Sequence, residues 1–295
     1  LTKHTRERMD AVNRQVEALF QRDTAAEEKL EKESRSAYLQ SSYIDKWAGF
    51  PLYQNTQTKY YRCGEEMFPD MLEALRGAEH FIFLEYFIIE EGYMFNTILD
   101  ILEEKAKAGV DVRFIYDDVG SINSISFGYY KKLQERGIPC VTFNPFKPLI
   151  SVVMNNRDHR KIFVVDGYIG FTGGINLADE YINKVQRFGY WKDTGVRIEG
   201  EAVWSLTAMF LEMWNYINRS TEDYSRFLPS VYQQKKTDSD GFVQPYGDSP
   251  LDNENVGENI YLNIISRAKK YVYIFTPYLI IDHEMLICLS NAAKS

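Results

Sequence analysis

One segment restricts the possible folds more than any other. Residues 162–165 form a β-branched and aromatic run, Asp166-Gly167 is a turn signal, and Ile169-Gly-Phe171 restarts an apolar strand. A β-hairpin is expected here. Chemistry-bearing residues bracket it: His159 and Lys161 before the first strand, Gly173-Gly174 and Asn176 after the second. The pattern is His-x-Lys, four residues, Asp, six residues, Gly-Gly-x-Asn. Side chains two apart on an extended chain share a side, so His159 and Lys161 are expected to face one site. Glycines let backbone N–H groups approach an anion closely, and Asn176 adds a side-chain donor. A neutral imidazole can attack an electrophile. Ammonium and amide donors stabilise charge growing on phosphate oxygens. Together they point to nucleophilic phosphoryl or phosphatidyl transfer without a metal. A solitary His would read as a partly buried side chain in an ordinary hairpin; the joint spacing argues against that.

The local charge agrees. In the stretch 147–161, Lys147, Arg157, Arg160 and Lys161 meet only Asp158, on a chain of net charge −8. A basic island on an acidic chain suits an anionic substrate.

With every position filled, the segment resembles the HKD motif of the phospholipase D superfamily. The flanks 156–162, 173–181, 190–194 and 197–200 look like those of bacterial cardiolipin synthases, and the similarity runs from about Trp47 to the end. The resemblance implies an α/β fold of the phospholipase D-like type. Its mixed or parallel sheet would be flanked by helices, as one complete unit plus the start of a second, after an N-terminal helix. His159 would form a phosphohistidine, and Lys161, Asn176 and the Gly173-Gly174 backbone would hold phosphate oxygens. Asp166 would be the acidic member of the motif, supporting the loop or a His. The implied activity moves a phosphatidyl group between two phosphatidylglycerol molecules and releases glycerol. It would act at a membrane surface, on the reducing, cytoplasmic side, with no cofactor or metal.

Enzymes of this family build one active site from two such motifs, one His attacking and the other protonating the leaving alcohol. Here His4, His80 and His283 lie in no His-x-Lys context. His283 follows Asp282 at a helix start, His80 precedes an apolar run, and His4 lies in a charged terminal segment. All three read as structural or solvated. An internal repeat accounts for the gap. Residues 78–89 (AEHFIFLEYFII) match 268–281 (AKKYVYIFTPYLII), each between helical stretches. The second motif would fall about fifty residues past Ser295. The chain is therefore expected to stop inside its second repeat, with the missing half of the same protein as its partner, and to be inactive alone. Membrane helices are expected upstream of Leu1.

Composition bounds the rest. Apolar residues make up 45% of 295, ample for a core, yet no stretch approaches the length of a membrane span. Cys63, Cys140 and Cys288 make no metal spacing. The acidic balance argues against a nucleic-acid partner. Residues 1–45 read as a charged helical segment, either packed on the domain or juxtamembrane. Residues 46–234 form the first domain, 235–257 a polar linker or loop, and 258–295 the opening of the second repeat. Strands are expected over 81–89 and 110–116, with helices over 98–108 and 204–214. Asp117-Asp118 ends a parallel strand, where it either caps the next loop or supports the site. Glu85, inside an apolar strand, either faces solvent or supports the active site. Residues 146–154 either pack in the core or line a groove for acyl chains. Two other functions remain open: a homodimeric single-motif phosphodiesterase, phospholipase or nuclease, and a non-catalytic lipid-binding module.

Overall fold

The structure, a computed structural model, describes residues 11, 13–145, 157–232, 237, 239–248 and 254–294. They cluster into two compact units, residues 1–21 with 52–245 and residues 22–51 with 246–295.

The first unit is built on a seven-stranded mixed sheet. Its strands are β1 (Thr56–Tyr61), β2 (Phe81–Tyr86), β3 (Asp111–Asp117), β4 (Cys140–Phe143), β5 (Ile162–Val165), β6 (Ile169–Gly173) and β7 (Gly195–Gly200). Their order is β1-β7-β6-β5-β2-β3-β4. β2, β3 and β4 are parallel, as the strand–helix–strand pattern implies. β5 returns antiparallel beside β2, and β6, β7 and β1 continue antiparallel.

Strand β2 is buried on both faces, which explains its unbroken apolar reading. Ile82, Leu84 and Tyr86 join the core beneath the helices Gly64–Gly77 and Tyr93–Lys107. Phe81 and Phe83 point to the other face and pack on Phe227, and Phe83 also stacks on Phe210 of the helix Val203–Asn218. Burying each such ring contributes roughly 1.5–3 kcal/mol. β2 is shorter than its apolar run. After Tyr86 the chain leaves the ladder and runs beside 176–177, with Leu177 donating to Ile88 O (3.2 Å) and Glu90 donating to Leu177 O (3.0 Å).

The hairpin forms as β5–β6. Asp166 (φ 50°) and Gly167 (φ 64°) make its corner in left-handed backbone, where Asp and Gly are among the tolerated residues. The strand directions put the ends of β2, β3, β4 and β6 and the starts of β5 and β7 along one edge of the sheet. The segments at that edge hold the candidate site.

The second unit contains the helices Thr24–Glu33, Arg35–Ala48, Val256–Ser266 and His283–Lys294. Tyr43 donates to Glu254 (2.6 Å), and Asn259 donates to the Tyr43 hydroxyl (2.8 Å). Asp282 caps the last helix by accepting from Met285 N (2.8 Å). The single N-terminal helix expected from sequence is divided. Asp23 and Ser34 each accept backbone N–H groups as N-caps and start new helices. Val16 and Phe20 bury in the first unit instead, Phe20 against Trp204. Residues 268–281, which match 78–89 in sequence, form no strand. The segment joins no strand ladder, and Tyr273, Phe275 and Ile280 are exposed. A lone strand with no ladder to join gains too little to form. No helix among the described residues is long and apolar enough to cross a membrane.

Candidate active site

His159 and Lys161 lie just before β5, and the expectation that they share a side holds. Lys161 Nζ is 3.1 Å from His159 Nδ1 and donates to His159 O at 2.7 Å. The imidazole packs at a tilt against Phe87 (centroids 4.3 Å apart), whose ring also lies 5.5 Å from Lys161 Nζ. His159 remains exposed while Lys161 is buried. Partial desolvation, then the neighbouring ammonium, push the imidazole pKa below 6.5. Burial brings the Lys161 ammonium down to about 8, against the opposing pull of Asp158 and Asp193. At neutral pH the ring is therefore mostly neutral and the lysine mostly charged: a nucleophile beside a cation.

Asp117 clamps the segment that carries the pair. Its carboxylate accepts from Val119 N (3.0 Å) and Gly120 N (2.8 Å), capping the loop after β3. It also accepts from Asp158 N (2.9 Å) and Arg157 Nη1 (3.2 Å). One carboxylate thus joins the loop after β3 to the segment 157–158. The partly solvent-facing alternative for Glu85 does not survive: Glu85 is fully buried on the Phe81–Phe83 face. Its Oε1 lies 2.7 Å from Arg160 Nη2, and Arg160 Nε lies 3.1 Å from Asp158 Oδ1. Burial raises Glu85 well above its usual range and raises Glu212 to about 8.

Asp166, Gly173 and Gly174 are engaged with backbone. Asp166 sits at the opposite edge of the sheet, across the length of β5 from His159. There it accepts from Glu79 N (2.8 Å), His80 N (2.7 Å) and Phe81 N (2.8 Å) at the entry to β2. Its carboxylate supports backbone and does not reach the imidazole. The glycines are not an open anion cradle either. Gly174 N donates to Thr194 O (3.0 Å), and a Cβ at Gly173 would stand 2.4 Å from Thr194 O. They are Gly because β7 enters against them. Asn176 does lie at the site edge, but its amide is engaged: Oδ1 accepts from Ile88 N (3.0 Å) and Nδ2 donates to Tyr181 OH (2.8 Å). One Nδ2 hydrogen is left for another acceptor.

Two site residues escaped the sequence reading. Phe87 looked like core strand; only the departure of the chain from β2 turns it onto His159. Asp193 approaches Lys161 and packs on Gly174, where an added Cβ would come 2.0 Å from its Oδ1. Its signal was present in the quoted flank 190–194, but its proximity depends on the β6–β7 pairing. The groove suggested for residues 146–154 lies outside the described residues, as does Lys147. Among the described residues, one acidic group has metal-ligand spacing: Glu258, Asp282 and Glu284 in the second unit, with ligand atoms within 4.8 Å of one another. Asp282 there serves as the helix cap, and exposed acids of this kind commonly hold no ion.

Comparison with known proteins fits this geometry. The family described as cardiolipin synthase, PLD-like domain, matches residues 71–214. An uncharacterized protein of Streptococcus mutans is 48% identical over 95% of this chain and 60% of its own length. The cardiolipin synthase of Alkalihalophilus pseudofirmus is 40% identical over 91% of this chain and 53% of its own length. The chain thus spans little more than half the length of these relatives. Phosphatidylserine synthase from Haemophilus influenzae Rd KW20 shares the fold, with TM-score 0.56 and 16% identity over 86% of this chain and 64% of that one. A paired His159 and Lys161 at the edge of this mixed sheet and the extent of these matches agree: residues 71–214 match the phospholipase D-like domain of the cardiolipin synthases, and the chain is similar to those enzymes over most of its length.

Proposed function

We propose that the protein is a phosphatidyltransferase of the cardiolipin synthase kind, working on phosphatidylglycerol at a membrane surface. The observation that carries this is the His159–Lys161 pair, a neutral imidazole 3.1 Å from a buried ammonium. With the ammonium donating to Nδ1, the ring keeps its proton on Nε2. An arriving phosphodiester draws Lys161 onto a non-bridging oxygen, and the ring proton moves to Nδ1. Nε2 then attacks phosphorus, the P–O bond to glycerol breaks, and a phosphohistidine remains. A hydroxyl of a second phosphatidylglycerol attacks phosphorus in turn, giving its proton to the group that protonated the leaving glycerol, and the P–N bond to His159 breaks.

The leaving glycerol needs a proton. His80 cannot give it, since it stacks on Tyr232 (4.4 Å) at the opposite edge. The acid comes from outside the described residues, from the part of the relatives this chain does not span. The 295-residue chain alone is accordingly expected to be inactive or nearly so. The test is turnover of phosphatidylglycerol vesicles by the chain and by a version extended to the length of those relatives, with His159→Ala in each. Cardiolipin and glycerol produced by the extended protein only with His159 intact support the proposal. Phosphatidic acid in their place makes water the acceptor and the protein a hydrolase. No reaction by folded, extended protein rejects the proposal.

A further inference from the structure

The large apolar side chains that the first unit exposes are not spread evenly. Tyr93, Ile122, Phe127, Val185, Phe188 and Tyr190 are exposed, and all belong to segments at the edge that carries His159. Phe127 is 87% and Phe188 82% exposed. Elsewhere, among the described residues of this unit, only Tyr60 on edge strand β1 and Val231 join them. Val231 lies beside Tyr232, which stacks on His80 at the opposite edge. Isolated exposed apolar residues are ordinary; a one-sided set around a nucleophile marks an interaction surface.

The segments are tied to the site. Ser121, in the loop after β3, donates to Phe87 O (3.2 Å) and accepts from Ile89 N (3.1 Å). Phe87 in turn carries His159. On the other flank, Arg187 pairs with Glu180 (3.1 Å) and with Glu90 (3.6 Å) on the β2 exit. Neither the stretch 119–129 nor the stretch 183–192 contains an Asp or Glu, on a chain that carries 42 of them. The first is uncharged, and the second holds Lys184, Arg187 and Lys192. Apolar tips on two carboxylate-free stretches, one of them cationic, complement an anionic lipid surface.

We infer that this rim docks the protein on a bilayer containing anionic phospholipid, seating Phe127, Val185 and Phe188 at the headgroup boundary around His159. The inference rests on the phosphatidyl-transfer proposal for its choice of lipid as partner. Its test is sedimentation of the 295-residue chain with phosphatidylcholine vesicles and with vesicles that also contain phosphatidylglycerol. The chain is expected to bind the anionic vesicles. Phe127→Ser/Val185→Ser/Phe188→Ser should weaken that binding about tenfold or more, while Val231→Ser does not. Lys184→Gln/Lys192→Gln should shrink the advantage of anionic over neutral vesicles. All these side chains are exposed, and far-UV circular dichroism checks folding. No binding, or equal binding by the triple variant, overturns the inference. So does a wild-type dimer that the triple variant dissociates, because a second copy would then be the occupant. Binding is read without turnover, and His159→Ala should bind as wild type does. Failure of the chemistry and failure of the rim are therefore distinguishable.

Discussion

Arg160 Nη2 lies 2.7 Å from Glu85 Oε1, beneath the segment that carries His159. The contact is an ion pair lying off hydrogen-bond direction, since neither atom has a hydrogen-bond partner. Removing the guanidinium would leave a buried carboxyl facing Asp158 and Glu212 uncompensated. Arg160→Met should cost about 3 kcal/mol in chemical denaturation. Glu85→Gln should cost less, because burial penalises the charged carboxylate and a neutral amide keeps its shape. Equal losses for the two would contradict this account.

Glu212 gives stability a pH slope. Its folded pKa is about 8 against 4.5 for the free side chain. The folded state therefore holds a proton that the unfolded chain releases above about pH 4.5. Stability should fall from there to about pH 8 and then level. Glu212 keeps a partial opening to solvent, which softens the slope. Glu212→Gln should flatten the profile and raise stability at pH 8, measured by urea denaturation across pH.

The His159–Lys161 pair predicts a bell-shaped rate. Attack needs the neutral ring, so rate should rise through a pH below 6.5. It should fall as Lys161 loses its proton near pH 8. Lys161→Gln should lower phosphohistidine formation by roughly 100- to 1,000-fold and remove the alkaline limb. A variant that keeps that limb would place the second titration elsewhere.

Asp166 should behave as a structural residue. Asp166→Ala strips an acceptor from three backbone N–H groups and adds strain at a positive φ, at a cost of about 2–3 kcal/mol. The folded fraction should retain the wild-type KM and pH profile. A changed pH profile at full folding would return Asp166 to the chemistry.

Gly174→Ala should act through Asp193. The new Cβ would strike its carboxylate and move a negative charge relative to Lys161. A shifted alkaline limb is the expected readout, with thermal melting as the check on folding.

Local patterning made the hairpin legible: residues 162–165, the Asp-Gly corner and the apolar restart are contiguous and follow period-two chemistry. The same holds for His159 and Lys161, two residues apart. What stayed hidden depends on pairing between distant strands. Asp193 reaches Lys161, and Gly173-Gly174 close against 193–195, only because β7 pairs with β6. β1 was equally silent, since Thr56–Tyr61 is an edge strand whose middle four residues are exposed and polar or aromatic. The likeness between 78–89 and 268–281 is one of sequence, and only the first segment forms a strand. Sequence likeness does not supply the neighbours a strand needs.

The corner at Asp166-Gly167 has a consequence for aim. Asp166 fastens the far end of β5 to the entry of β2, and four residues then lead back to Lys161. His159 and Lys161 meet on one side while Arg160 turns under toward Glu85, so the odd and even positions of one short ribbon have opposite duties. Inserting a single residue between Lys161 and Asp166 would trade those duties, burying the nucleophile and exposing the guanidinium. The distance from the lysine to the aspartate thus acts as a ruler, and the acid of the motif measures where the histidine will point.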